Sequence, residues 1–597
     1  MRTLHVSSAR FVLLIIGVVI CFAGVLGKLW WLHVKDAPKL RDEATQQRRV
    51  FNEYPASRGQ ILDARGALLA TTREVWDVGV DAHELSEADC LRADEIAKVL
   101  HLDLGVVTRS FEKRYLPPLE EGAPPRRIKW VKLADSQDAV VAQQIRDLKI
   151  RGVYPLRRYV RYYPKGQLAA HLVGFVNREG VATSGVERAM DWFLQGQRGS
   201  LESQRDGRQR ELAHLRSRKI EPRNGDNVEL TIDSVLQEIC EQVMEEEIAR
   251  KYNPESAAII ISEPATGKIL ALANWPTFNL NEYNDPRKAP MEAQRNRAVT
   301  DVYEPGSVFK IIPISMGLNE RLVTPNSVFD CGATKVPYRG RLLGLPKDDH
   351  PIGEADVRKI VAKSSNRGSA LIAMKVTEAR GEQTFYDYAY RFGFGRPTGL
   401  ITGQESRGTL HRPEQWDGLT ITRMPMGHAV DCTPLQMHFA MATIANGGRL
   451  MEPMLVNRVI GADGNTLLQY EPKVREQAVR PETAAQLVEM LRGVCMPGGT
   501  AAGANIPGFE VAGKTGTSQK IIDGRYSSRF HVPSFSGFFP ASNPQYVISV
   551  IVNKPEMPNG RIGYGGTVCV PVFRQLAEKI IHQFGLRPLP GQAGQAI

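Results

Sequence analysis

The chain has 597 residues, too many for one ordinary core, and its 42% apolar and 24% charged content excludes wholesale disorder. The formal net charge is +11, but residues 1–225 hold 37 Lys and Arg against 27 Asp and Glu, while the remainder holds 39 against 38, so the basic excess belongs to the N-terminal part. No basic run is interleaved with aromatics, which leaves nucleic-acid binding without support, and the seven cysteines form no C-x-x-C pair, so neither a zinc site nor a disulfide framework is signalled.

Phe11 to Gly27 carries no formal charge and is followed by Lys28, Trp30 and Trp31. A span needs about 20 apolar residues, a terminal Lys can snorkel, and tryptophans favour the interface, so 11–32 is predicted to be a transmembrane anchor. No small-x-small cleavage site follows it, which favours an uncleaved anchor over a signal peptide. Arg2 and Arg10 suit a short cytoplasmic tail over 1–10, with everything after the anchor exported. Residues 33–55 read as a polar stalk. Residues 115–127 carry four prolines and read as a loop. Residues 202–224, rich in Arg, Asp, Gly and Gln, read as a linker or exposed ribbon, with a domain boundary near 225.

Beyond it, Asn227–Ile232 reads as a strand and Ser234–Lys251 as a helix. Ala257–Ile261 and Ile269–Ala273 flank the turn Pro264-Ala265-Thr266-Gly267, a hairpin pattern. Phe509–Ala512, Ser534–Phe539 and Tyr546–Val552 read as three further strands and Val572–Phe584 as a closing helix. A sheet built from both ends of the region, with helices between, is an α/β arrangement. The last dozen residues read as a mobile tail.

Three short motifs occur in order: Ser307-Val308-Phe309-Lys310, Ser364-Ser365-Asn366 and Lys514-Thr515-Gly516-Thr517. A serine hydroxyl needs a base to become a nucleophile. Ser and Lys at i, i+3 of a helix share a face, so the amine can reach the hydroxyl. Lys310 must be neutral to act, and both burial and a second cation, Lys514, would lower its proton affinity. Gly306 would free the backbone at a helix N-terminus, where N–H groups can face an oxyanion. Gly516, at the end of an apparent strand, would let a ligand approach closely, and the hydroxyls and cation around it suit a substrate carboxylate. Singly, S-x-x-K and S-x-N arise roughly once or twice by chance at this length. Together and in order, with K-T-G, they are a signature of penicillin-binding proteins and class A β-lactamases.

Longer segments carry the likeness further. Arg297-Ala298-Val299-Thr300-Asp301-Val302-Tyr303-Glu304-Pro305-Gly306-Ser307 resembles the nucleophile segment of class B penicillin-binding proteins. Tyr163-Pro164-Lys165-Gly166 through Asn177, Arg58-Gly59 with Asp63, and Ser184-Gly185-Val186-Glu187 resemble their pedestal. Tyr564-Gly565-Gly566 with Pro571-Val572-Phe573 resembles their closing segment. Arg295-Asn296-Arg297 and Met496-Pro497-Gly498-Gly499-Thr500 resemble the division-specific branch, with the elongation-specific branch as the alternative.

The resemblance implies an anchor, an elongated α+β pedestal over 33–224, a transpeptidase domain over 225–585 with a central antiparallel sheet flanked by helices, and a tail over 586–597. It implies a serine D,D-transpeptidase that cross-links peptidoglycan stem peptides, needs no metal or cofactor, and is acylated by β-lactams. Ser307 would form the acyl-enzyme, Lys310 would take its proton, and Ser364 would relay one to the leaving amine. Asn366 would hold the donor backbone, and Lys514, Thr515, Gly516 and Thr517 would bind the terminal carboxylate. The N–H groups of Ser307 and Thr517 would form the oxyanion hole. Implied partners are lipid-linked precursor strands, a SEDS-type glycosyltransferase (FtsW-like) and other division proteins.

Two departures stand out. Met426-Gly427-His428-Ala429 replaces a G-x-G element. Arg367 stands where a small apolar residue is usual, pointing either to solvent or to substrate or a cleft carboxylate. Pro313 is expected to kink or loosen the nucleophile helix. Against a secreted β-lactamase stand the anchor and pedestal. Against a silent scaffold stand the intact motif residues, and labelling with a fluorescent penicillin separates the two.

Overall fold

The computed structural model describes residues 8–118, 124–204, 218–522 and 524–588. Residues 1–7 of the expected tail, 205–217 of the expected linker and 589–597 of the expected C-terminal tail lie outside the described residues. The backbone forms two units, one of residues 1–57 with 196–224 and one of 58–195 with 225–597.

In the smaller unit, helix α1 (Ser8–Trp30) begins earlier and ends later than the uncharged run, and no side chain of it is buried. The chain continues helically through Trp31–Lys35 in a wider turn, where the Lys35 amine lies 3.9 Å from the centre of the Trp31 ring. Arg49–Tyr54 pairs antiparallel with Gly199–Gln204, which pairs with Arg218–Ile220. Residues 202–204 and 218–220 of the expected ribbon therefore lie in a three-stranded sheet.

In the larger unit, Leu68–Val80 is the long strand of a seven-stranded sheet. Within that sheet Asn227–Leu230 runs parallel to Ile61–Leu62 and antiparallel to Val456–Ile460. Beneath it, Arg58 and Arg161 both bond the buried Glu187 carboxylate, at 2.7 and 2.6 Å. The proline-rich loop differs from expectation. Tyr115–Leu116 pairs with Arg126–Arg127, closing its base as a two-residue ladder. The prolines fall outside the ladder, where no N–H is needed.

A five-stranded sheet uses both ends of the C-terminal region. After α2 (Ser234–Val243), strands β1 (Ser256–Ser262) and β2 (Ile269–Trp275) form the expected hairpin. Helices α3 (Ile311–Asn319), α4 (Val357–Lys363), α5 (Asn366–Arg380), α6 (Pro434–Ala445) and α7 (Pro481–Cys495) follow. Strands β3 (Ala512–Ile522), β4 (Arg525–Phe539) and β5 (Tyr546–Asn553) complete an antiparallel sheet of order β2-β1-β5-β4-β3, and α8 (Gly565–Phe584) closes the fold.

Three boundaries move by three residues or more. Residues 509–511 are not strand; Gly508 takes a left-handed φ of 81° and turns the chain just before β3. Strand β4 starts nine residues before Ser534 because its outer half is an exposed, polar hairpin arm. Helix α8 starts at Gly565 and contains Pro571. An interior Pro costs about 3 kcal/mol. Burying Val568, Val572 and Phe573 against the sheet returns about 1.5–3 kcal/mol each, which decides the outcome. Helix α6, buried along its whole length, covers the opposite sheet face.

Candidate active site

Side chains alternate across a strand, and β3 uses both faces. Lys514 lies opposite Ser536 of β4. Ser536 Oγ bonds Ser549 Oγ at 2.6 Å, and Ser549 bonds His438 of α6 at 2.8 Å. The other His438 nitrogen bonds Ser262 at 2.7 Å. Lys514 and Gly516 therefore face α6, and Thr515 and Thr517 face the α8 side. K-T-G lies near the start of β3, not at the end of a strand as expected.

The nucleophile-type serine sits on a 3-10 turn, Gly306–Lys310, rather than at the N-terminus of an α-helix. Pro313 has no N–H for the Phe309 carbonyl, and the chain before α3 is wound tighter, so the expected loosening is a change of helix type. With three residues per turn, Ser307 and Lys310 stack on one face. Gly306 has φ 57°, and a Cβ there would stand 3.0 Å from the Thr517 carbonyl oxygen, which puts the Ser307 turn directly against β3.

Lys310 Nζ makes three hydrogen bonds, none of them to Ser307. It donates to Ser364 O at 2.5 Å, Asn366 Oδ1 at 2.6 Å and Ser364 Oγ at 3.1 Å. Lys514 Nζ donates to the same Ser364 Oγ at 2.8 Å. Ser364 can turn its hydroxyl to both because it ends α4 in the left-handed conformation, φ 56°, a strained state for a residue with a Cβ that recurs at functional sites.

Both amines are buried, and Ile311, Ile314, Val361, Leu487 and Leu491 line a small cavity with them. Burial lowers Lys310 to about 7, with Asp348 and Asp349 pulling weakly the other way. Lys514 is driven well down, first by burial and then by repulsion from Lys310. Burial leads for both lysines, and their mutual repulsion falls on Lys514.

Gly516 is closely packed. A Cβ there would meet Ser534 Oγ at 2.5 Å, Val308 Cγ2 at 2.7 Å and the Pro305 carbonyl oxygen at 2.9 Å. The glycine lets the Ser307 turn pack against β3. Thr515 Oγ1 bonds Thr500 Oγ1 at 2.9 Å, and Thr517 Oγ1 accepts the Gly565 N–H at 3.1 Å.

All eight expected site residues converge, and the structure adds others. Asp348 is buried and accepts from Ser365 Oγ at 2.7 Å, the Asn366 N–H at 2.5 Å and the Arg367 N–H at 3.1 Å. Its charge sits at the N-terminus of α5, where the helix dipole favours it. Glu304 accepts the Ala429 N–H at 2.9 Å and the Tyr526 hydroxyl at 3.0 Å, and lies 3.1 Å from His428 Nδ1. These contacts hold its carboxyl below the usual range despite burial. Together with the Gly306 N–H to Gly427 O bond of 3.1 Å, they stitch the departed 427–429 segment to the nucleophile turn. No local pattern marks Asp348, and Glu304, though it lies in the segment before Ser307, meets its partners only through the fold. Arg367 takes neither expected course: its guanidinium bonds three backbone carbonyls.

Residues 257–578 match the penicillin-binding protein transpeptidase domain, and residues 53–230 match the penicillin-binding protein dimerisation domain. The chain is 30% identical over 584 residues to the peptidoglycan D,D-transpeptidase FtsI of Escherichia coli K12, covering 97% of this chain and 93% of that one. It is 29% identical over 542 residues to stage V sporulation protein D of Bacillus subtilis, covering 90% and 80%. Its fold is similar to the crystal structure of penicillin-binding protein 3 from Mycobacterium tuberculosis complexed with aztreonam, with a TM-score of 0.67, 24% identity, and 92% and 100% of the two chains covered.

Proposed function

The chain belongs to the class B penicillin-binding protein D,D-transpeptidases, a family of serine-type enzymes, and from that premise we propose that Ser307 carries the acyl-enzyme in peptidoglycan cross-linking at the division septum. The observation that carries this reading is the meeting of Lys310 Nζ and Lys514 Nζ on Ser364 Oγ, beside the Gly306–Ser307 turn. Neutral Lys310 takes the Ser307 proton as Oγ attacks the carbonyl of the D-Ala-D-Ala amide. The N–H groups of Ser307 and Thr517 receive the oxyanion. On collapse, Ser364 passes a proton to the departing amine, and D-Ala leaves. The amine of a second stem peptide then attacks the ester, returning the proton to the serine oxygen and forming the cross-link.

Lys514, Thr515 and Thr517 hold the terminal carboxylate, and Gly516 holds the strand against the turn. That carboxylate raises the proton affinity of Lys514, so substrate binding would draw a proton there and leave Lys310 neutral. β-Lactams present a carboxylate and an acylating amide to the same groups.

In this reading, 1–10 is cytoplasmic, 11–32 spans the membrane, 33–224 is the pedestal and 225–585 the catalytic domain, with 586–597 as a tail. The anchor and pedestal would meet an FtsW-like glycosyltransferase. Mass spectrometry of the penicillin-labelled protein tests the acylation site, with the drug on Ser307 expected and attachment to Ser364 or Ser365 refuting it. Imaging of a tagged copy tests the place of action, with a septal band expected and side-wall label favouring elongation.

A further inference from the structure

Residues 328–356 form a hairpin arm. Val328–Asp330 pairs with Glu354–Asp356 at its base, and Lys335–Tyr338 pairs with Arg341–Gly344 further out. Arg367, in the first turn of α5, ties the two stems of this arm together. Its Nη1 donates to Cys331 O at 3.2 Å and Gly332 O at 3.1 Å on the outgoing stem. Its Nε donates to Pro346 O at 3.2 Å on the returning stem.

The returning stem then reaches the catalytic groups. Asp348 receives the Asn366 and Arg367 N–H groups, and the Lys347 carbonyl accepts Asn366 Nδ2 at 2.8 Å. At the other end of the same amide, Asn366 Oδ1 accepts Lys310 Nζ at 2.6 Å. Both ends of Asn366 are thereby committed, its amide cannot flip, and one Nδ2 hydrogen is left for a ligand.

We propose that Arg367 is a positioning residue for acylation, clamping the 331–348 arm to α5 so that Lys347 and Asp348 hold Asn366 in its working orientation. The proposal rests on the reading of Asn366 as the group that holds the donor. The planar guanidinium fork is essential to it, because a lysine ammonium at the end of a flexible stem cannot span both stems.

The test uses the full-length protein in detergent with a fluorescent penicillin. It measures the acylation constant and amide hydrogen exchange over 331–348 for wild type, Arg367→Ala, Arg367→Lys, Asn366→Ala and the Arg367→Ala/Asn366→Ala double variant. Both Arg367 variants are expected to acylate about tenfold more slowly and to exchange faster across the arm. In the Asn366→Ala background, Arg367→Ala is expected to add less than about twofold, because it acts through that residue. Acylation by either Arg367 variant at the wild-type rate overturns the proposal. So does an equal slowing in the Asn366→Ala background, which would make the effect merely structural. If Arg367→Ala does not fold, Arg367→Lys carries the test. A wild type that takes no label refutes the acyl-enzyme reading itself, a different outcome from any of these.

Discussion

Lys310 and Lys514 direct their amines at one oxygen, with Nζ of the first 3.1 Å and Nζ of the second 2.8 Å from Ser364 Oγ. Two ammonium ions in that position, buried among aliphatic side chains, cannot both stay charged. Burial is the leading cause of the shift on each lysine. The chemistry and the stability of the site both follow from this.

With Lys310 as the proposed base, the acylation rate should rise with pH through a midpoint near 7 and level off above it. Lys514→Met should weaken binding of a carboxylate-bearing penicillin while moving that midpoint by less than about half a unit, since burial of Lys310 is unchanged. Stopped-flow acylation across pH checks both parts. An upward move of about one unit or more would assign the tuning to the charge of Lys514.

Ser307→Ala should abolish covalent penicillin labelling and leave the circular dichroism spectrum intact, since one oxygen at a partly exposed turn is removed. Lys310→Ala should slow acylation by about 10²–10⁴-fold, the range for loss of a general base. A rate within about tenfold of wild type would show that another group takes the proton.

The lysine pair should also make stability pH-dependent. Native Lys514 is held neutral well below its ordinary value, whereas the unfolded lysine keeps its proton up to about 10.5. The unfolded state therefore binds the extra proton, and stability rises with pH in that interval. Lys514→Met should raise Tm at pH 7 and do so less at pH 9.5. A gain that is the same at both pH values would show that Lys514 stays charged in the folded protein.

Glu241 offers a test of opposite sign. Its carboxylate is half-buried, accepts the Ala169 N–H and the Gln237 amide at 2.8 Å each, and is raised to about 7 by loss of solvent. The native state then binds a proton that the unfolded state releases above about 4.5, so stability falls as pH rises from there to about 7. Glu241→Gln should flatten that part of the stability curve, as measured by urea midpoints at pH 5 and pH 8.

Gly516→Ala should abolish acylation without touching a reacting group. The new methyl would lie 2.7 Å from Val308 Cγ2 and 2.9 Å from the Pro305 carbonyl, forcing the serine turn off β3. Labelling at the wild-type rate would show that the turn can shift at no cost.

The N-terminal apolar helix, the β1–β2 hairpin, helix α2 and the three motifs were legible in the sequence because each rests on neighbours in the chain: an uncharged run, a two-residue alternation, an i, i+3 spacing. Helix α8 and the outer half of β4 were not fully legible, since Pro571 and a polar arm contradict local preference, and packing or strand pairing overrides it. The motifs named the proposed reactive residues but not how they are tuned. Ser364 and Lys514 lie 150 residues apart, and only the sheet register and the left-handed turn at Ser364 bring the hydroxyl and amine together. Only burial makes Lys310 a base near neutral pH. The tertiary structure alone decided the places of Asp348, Glu304 and Arg367, because a carboxylate or guanidinium acquires its role from partners that the fold carries to it.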